Sequence, residues 1–295
     1  MKTNPVMNSL PPLMAIPLES RGVIALTGAD AKTLVQSIIT NDIRKLSPNQ
    51  PIYAGLLTPQ GKYLHDFIIA EADDTLYFDC EGERKADLIR RFMMYRLRAK
   101  VEIQDKSDTL AVVAVIGAGQ LPAGLPEGAI AYRDPRHDSI GFRIILPREL
   151  IAGLPIPQGD FSHYERQRLA LGLPDASRDF EIDRTLILEG NMEEMHGVDF
   201  NKGCYVGQEL TARTKHRGKV RKRLLAVVID GPAPAPGLPV MDGDREIGSM
   251  RSSFENRGIA LLRIEDLSPG KAYACGEALI TPVLPEGLKL TEPQA

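Results

Sequence analysis

The sequence predicts an α+β protein, with two mixed α/β portions on mainly antiparallel sheets followed by a C-terminal β-barrel. Three observations lead there. Strand and helix patterns alternate without the regular rhythm of a doubly wound sheet. The stretch from Tyr53 to Ala70 reads strand, Pro/Gly turn, strand, which is an antiparallel hairpin. The last part of the chain, after a proline-rich connector, consists of short strands punctuated by glycine. A length of 295 residues favours two or three packed modules over one continuous core. Hydrophobic residues at 43% and charged residues at 25% exclude a largely disordered or fibrous chain. Lys plus Arg at 36 against Asp plus Glu at 39 leaves a net charge of −3, so whole-molecule electrostatics require neither nucleic acid nor an anionic membrane as partner. No run approaches the roughly 18 apolar residues of a membrane span.

Taken in order, residues 1–20, with Pro5, Pro11, Pro12 and Pro17, read as an extended arm lacking the apolar stretch of a signal peptide and the Arg-rich pattern of a transit peptide. Val23 to Leu26 form a strand, and Asp30 is placed to cap a helix whose Leu34, Val35, Ile38 and Ile39 make one apolar stripe ending at Thr40-Asn41-Asp42. In the hairpin, period-2 geometry sets Leu64, Asp66 and Ile68 on one face and Tyr63, His65, Phe67 and Ile69 on the other. A strand at Leu76 to Phe78 leads to a basic helix from Arg84 to Tyr95 with Leu88, Ile89, Phe92 and Met93 as its apolar side. Strands are expected at 99–103, 110–116, 129–132 and 141–146, framed by Pro/Gly loops at 121–128 and 153–157. Ser162 and Glu165 have the spacing of a capping box for a helix ending at Gly172-Leu173-Pro174. After the connector 231–237, strands are expected at 239–241, 246–250, 258–263 and 277–280.

Cys80, Cys204 and Cys275 are three unclustered cysteines, so neither a disulfide framework nor a metal site is encoded, and a reducing, cytoplasmic setting is expected. The densest stretch for chemistry runs from Val198 to Arg213. There Lys202 beside Cys204, with Gly203 and Gly207 freeing the backbone before a helical run, would favour a thiolate or an anion at a helix N-terminus. The alternative is a small buried cysteine in a tight turn. Arg213, Lys215, Arg217, Lys219, Arg221, Lys222 and Arg223 form a basic run with Glu209 as its one acid nearby in sequence, suited to a polyanionic tail or RNA phosphate, or else a solvated face. Asp66 is either a carboxylate held in a cleft or an acid at a sheet edge, and Arg168 either reaches into a pocket or lies on the surface.

Lys202-Gly203-Cys204-Tyr205-Val206-Gly207-Gln208-Glu209, followed by Ala212-Arg213, closely resembles the signature of YgfZ-type folate-binding proteins, relatives of the glycine cleavage T-protein. Further similarities run from Val23 to Ile280: Gly28-Ala29-Asp30-Ala31 with Thr40-Asn41-Asp42, Thr58-Pro59-Gln60-Gly61-Lys62 with Asp66, Arg168-Leu169-Ala170 with Gly172-Leu173-Pro174, Glu189 with Asn191, and Gly248-Ser249 with Gly258. The resemblance implies a T-protein-like ring: a folate-binding α+β region of two subdomains over 21–223 and a barrel over 224–295, around an opening that takes tetrahydrofolate. It implies Cys204 as the functional residue, Asp66, Arg168, Glu189 and Lys202 as folate contacts, and no resident metal.

The resemblance further implies a tetrahydrofolate-binding factor for maturation or repair of iron-sulfur enzymes, tRNA-modifying ones included. Its partners would be those clients and cluster-assembly proteins, the chain itself being a monomer that engages no membrane. T-proteins carry two consecutive acids where this chain reads His65-Asp66, and the lost first acid argues against aminomethyl transfer. Ile187 stands where relatives often have Pro, which should alter only a local turn. Two other readings are a tetrahydrofolate-dependent aminomethyltransferase or demethylase, and an interaction factor that docks a client protein or RNA through the basic run.

Overall fold

The computed structural model describes residues 12–285 apart from 49, 118 and 219, so residues 1–11 of the expected arm lie outside the described residues. The arm's last part is not free. Met14–Pro17 form strand β1, which pairs antiparallel with β7 (Leu110–Ile116). The chain then builds a five-stranded antiparallel sheet from β2 (Arg21–Thr27), β3 (Ile52–Leu57), β4 (Tyr63–Ala72), β5 (Thr75–Glu81) and β6 (Glu102–Asp105), in the order β3-β4-β5-β2-β6. The second sheet has the order β1-β7-β9-β8, with β8 at Ile130–Arg133 and β9 at Phe142–Pro147.

Helices α1 (Ala31–Ile38) and α2 (Lys85–Arg96) cover one face of the first sheet, where Phe67, Phe78 and Phe92 meet edge-on with centroids 5.1–6.2 Å apart. Its other face packs on the second sheet and on α3 (Phe161–Ala170). In β7 the alternation is complete: Val112, Ala114 and Ile116 point into this shared core, Val113 and Val115 into a separate one behind it. A closed antiparallel barrel follows, β10 (Lys222–Asp230), β13 (Arg257–Arg263), β12 (Arg245–Phe254), β11 (Pro239–Asp242), β14 (Tyr273–Cys275) and β15 (Ala278–Pro282) in spatial order, around Leu225, Ile247, Met250, Leu262 and Ile280. The α+β expectation with a C-terminal barrel therefore holds.

Local departures have local causes. Asp30 does not cap α1; its carboxylate accepts from the Lys100 amide. Asp160, rather than a Ser162 and Glu165 box, caps α3, and Glu165 is drawn inward to pair with Arg168 and Arg178. Tyr63 joins the face of Asp66 instead of opposing it, because the β3–β4 register shifts between Leu56 and Leu57. Met93, expected on the buried side of α2, is exposed. The strand expected at 99–103 starts later, at Glu102.

Between the two sheets lies a buried ionic network. Arg143 on β9 donates to Asp79 on β5 at 2.5 Å, to Asp134 at 2.9 Å and to the Tyr164 hydroxyl on α3 at 2.9 Å. Arg21 pairs with Asp79 at 2.6 Å, and Arg136 with Asp134 at 2.7 Å. Burial opposes charge on Asp79, but Arg143 and Arg21 outweigh it and hold the carboxyl below its ordinary value; Arg136 and Arg143 do the same for Asp134. Both acids therefore contribute stability above about pH 4 that is lost as the pH falls towards their folded-state values. Asp79→Asn leaves two buried guanidinium groups short of a counter-charge and should cost about 3–5 kcal/mol in urea unfolding. A loss below 1 kcal/mol would show that the network does not hold the sheets together.

Candidate functional site

The segment after Met195 is held by side chains from far away in sequence. The Thr40 hydroxyl donates to Gly197 O at 2.6 Å while accepting from the Gly55 amide at 2.8 Å, and Asn41 Nδ2 donates to both Tyr53 O and His196 O at 2.8 Å. Asp199 accepts from the amides of Asn201 and Lys202 and pairs with Lys45 at 2.7 Å. Lys202 is buried, its ammonium donating to the carbonyls of Gln36 at 2.7 Å, Ile39 at 2.6 Å and Asn41 at 2.8 Å. These are the open carbonyls at the end of α1, which a cation there satisfies. Burial pushes the Lys202 pKa down to about 8, against the pull of Asp42 and Asp199.

The expectation that Lys202 activates Cys204 or contacts a ligand is corrected here, since all three ammonium protons are taken by carbonyls. Lys202 is instead the clamp that fixes the loop. Beyond it Cys204 is exposed, Tyr205 is buried, and Gly207 begins α5 (Gln208–Arg217). Gly207 has φ 82° and Gly61, in the hairpin turn, φ 73°; a Cβ on Gly207 would lie 2.5 Å from Thr58 O and 3.0 Å from Gly61 Cα. Only glycine fits both positions, so the Lys202–Glu209 signature and the Thr58–Lys62 turn interlock through bare backbone. Cys204 thus sits on an anchored loop, whereas Cys80 and Cys275 are buried in sheet and barrel, the Cys80 thiol pushed up to about 12 by burial.

The other nominated residues lie apart. Asp66 is buried between the sheets, accepting from the hydroxyls of Tyr53 and Tyr63, each at 3.0 Å. Tyr53 also lines an open cleft of about 490 Å³ with Asn41, Lys45, Arg133, Asp134 and His196. Arg168 is neither surface nor ligand-facing: only 2% exposed, it is bonded to Glu165, Asp179 and Leu173 O. The cavity it shares with Arg21, Arg136 and Arg143 is about 20 Å³, room for one water. Glu189 is half-buried beside the barrel, its carboxylate accepting weakly from the Leu186 amide and its carbonyl from the Leu224 amide; burial raises its pKa. Among the described residues no hydrogen bond or ion pair joins two of the five nominated side chains.

His65, the departure from paired acids, faces α2 rather than the cleft, with Nε2 2.8 Å from Asp87 Oδ2. The basic run is also less free than its sequence implies, because folding brings Glu193 to Lys215 and Glu194 to Arg223, with Glu209 on Arg213. Thr40 and Asn41, read from the sequence as a helix end and as part of the family resemblance, are the side chains that hold the loop before Cys204 to β3.

Comparison with known proteins agrees with this architecture. Residues 16–120 match the GCVT N-terminal domain family and 221–290 the CAF17 C-terminal beta-barrel domain family. The glycine cleavage system aminomethyltransferase T of Bartonella henselae superposes with a TM-score of 0.72 over 92% of this chain and 85% of that one, at 14% identity, a likeness of fold. The chain is therefore a T-protein-like protein with a CAF17-type barrel. The human iron-sulfur cluster assembly factor IBA57, mitochondrial, is 33% identical over 276 residues, covering 85% of this chain and 77% of its own length. The mouse protein is 32% identical with the same coverage, and the Neurospora crassa homolog is 34% identical over 253 residues, of which this chain spans 57% of the length.

The chain belongs to the family of IBA57 iron-sulfur cluster assembly factors, which narrows the YgfZ-type resemblance to a relative of YgfZ. These relatives are mitochondrial, which overturns the cytoplasmic expectation. Sparse unpaired cysteines point to a reducing compartment without saying which one.

In the native protein one thiol, Cys204, should react rapidly with a chromogenic disulfide, and three should react after unfolding. Rapid loss of two or three in the folded state would contradict the burial of Cys80 and Cys275. Burial also lowers the His65 pKa to about 4, although Asp87 partly restores it. The unfolded chain then binds a proton that the folded chain does not between about pH 6.5 and 4, so stability falls as the pH drops through that window, by about 3 kcal/mol for this group. His65→Gln should flatten that part of the stability curve, and an unchanged slope would remove His65 from the account.

Proposed function

We propose that this protein is a maturation or repair factor for iron-sulfur enzymes, in which Cys204 meets the cluster or its client and reduced folate occupies the cleft beside Tyr53. The observation that carries the reading is an exposed thiol on a loop fixed by Lys202, Thr40, Asn41 and the Gly61–Gly207 contact. A thiolate held out to solvent can ligate a cluster in passage, while three scattered cysteines hold none by themselves, since such clusters usually take four thiolates. Family membership supports the process, and the resemblance to YgfZ-type proteins extends the clients to tRNA-modifying enzymes.

The residues present fit tetrahydrofolate in a changed arrangement. A cleft of about 490 Å³ is within the range of small-molecule sites. Tyr53, Asn41 and Asp134, buried and bonded within the chain, form the wall of the cleft, while Lys45 and Arg133 offer cations for the carboxylates of a glutamate tail. Asp66 acts from behind, through the Tyr53 hydroxyl, whereas Arg168 and Lys202 have no donors to spare. When bound, the folate would supply a reduced pterin able to carry one-carbon units.

The transferase reading is weaker, because His65 is buried against Asp87 and offers no acid or base to the cleft. The RNA reading is weakened by the carboxylates that fold back onto Arg213, Lys215 and Arg223.

Cys204→Ala should leave the unfolding free energy within about 0.5 kcal/mol and folate affinity unchanged, while abolishing support of iron-sulfur enzymes in cells lacking the chain. Full support by this variant would end the cysteine-centred reading. Calorimetry with tetrahydrofolate should show binding that weakens at least tenfold in Tyr53→Ala; no binding to the wild-type protein at millimolar ligand would remove folate from the proposal.

A further inference from the structure

Helix α2 buries Leu88 and Phe92 against the first sheet, and a helix packed in this way ordinarily presents polar residues on its outer side. Here the outer side of its last turn carries Met93, 51% exposed, Met94, 65% exposed, and Leu97, 83% exposed. Seven large hydrophobic side chains are exposed among the described residues, and these three fall within five positions. Leu97 is unfavourable twice over. It ends the helix at φ 47°, ψ −107°, where glycine is the usual residue, and it shows water a whole leucine side chain. Among the described residues Leu97 stays 83% exposed.

The surroundings are basic. Arg90, Arg91, Arg96 and Arg98 lie within nine residues, and Asp87, the one acid on the helix, is shared between Arg90, Arg91 and His65. In a chain of net charge −3 this is a local feature. We propose that the C-terminal end of α2 is a docking surface for a partner protein with an apolar patch rimmed by Asp and Glu. Methionines suit it, since their unbranched side chains adapt to a partner's contours. A second copy of the chain fits poorly, because a symmetric contact would set these arginines against one another. A lipid surface also fits poorly, because the rest of the helix's apolar face is already buried in the core.

Lys100, just past α2, bonds Asp30 at the start of α1, whereas Lys202 clamps the end of α1. The patch therefore lies towards the start of α1 and the Cys204 loop towards its end, along a helix about 12 Å long. That the partner is an iron-sulfur client or cluster donor rests on the proposed function.

The test uses the full chain in cells lacking their own copy, with one iron-sulfur enzyme activity as readout. Met94→Glu with Leu97→Glu, and separately Arg96→Glu with Arg98→Glu, should each lower that activity at least tenfold while leaving the thermal midpoint and the Cys204 labelling rate unchanged. Met94→Leu should retain it. A photo-crosslinking amino acid at position 94 should join the chain to the assayed enzyme, or to a protein that supplies its cluster, within an acidic segment. Wild-type activity in both charge-introducing variants overturns the proposal, as do adducts to a second copy, to lipid or to a segment without acids. If the wild-type chain does not restore the activity, the maturation reading fails, and the position of the crosslink alone decides whether α2 docks an acidic protein.

Discussion

The Arg143 guanidinium is the point at which the two sheets become one body. It projects from β9 and reaches Asp79 on the opposite sheet, Asp134 beside its own and Tyr164 on α3, so a single planar group sets the spacing of three elements. Apolar packing supplies most of the driving force, but it tolerates sliding, whereas a fork of donors aimed at fixed oxygens does not. Desolvating these charges is costly and the pairing does little more than offset it. The consequence is geometric: Arg136, drawn to Asp134, lies 5.9 Å from the Tyr53 ring, and the space between the sheets shrinks to a cavity for one water.

A second set of polar contacts transmits that rigidity to the surface. Thr40, Asn41 and Lys202 spend every donor described for their side chains on backbone groups, tying the loop before Cys204 to α1 and β3. Burial pushes the Lys202 pKa down to about 8, while its three carbonyl partners hold the ammonium in place. The loop is held from beneath by these bonds and is exposed at Asn201, Gly203 and Cys204.

Much of this was legible where the signal is local. The alternation of β7, the hairpin around Thr58–Lys62 and the stripe of α1 follow from period and turn chemistry, and the barrel from short strands between glycines. The start of β10 was hidden, since Lys222 and Arg223 read as part of a basic run although the strand begins there. Residues whose partners are distant in sequence were misread most. Arg168 finds Asp179 across a loop, Lys202 finds carbonyls more than 160 positions earlier, and Tyr63 changes face because of one extra residue, Leu64, in its own strand. Spacing cannot reveal such pairings, because the partners are far apart in the chain.

The division between a closed centre and an open periphery bears on mechanism. An enzyme that transfers a one-carbon unit needs an acid or base beside its substrate, in a site from which water can be excluded. In this chain the first position of the hairpin pair is a histidine turned towards α2, and the second is an aspartate shielded by two tyrosines. In the interior Asp66, Asp79, Asp134, Arg143 and Arg168 are bonded to neighbours within the chain, whereas the Tyr132 hydroxyl has no partner among the described residues. The exposed Cys204 thiol, by contrast, is at the surface on a loop anchored by Lys202, where a macromolecule can reach it and a small substrate would not be enclosed. A T-protein-like scaffold with a histidine turned inward at the first hairpin position and a cysteine presented outside is suited to handing something to another protein.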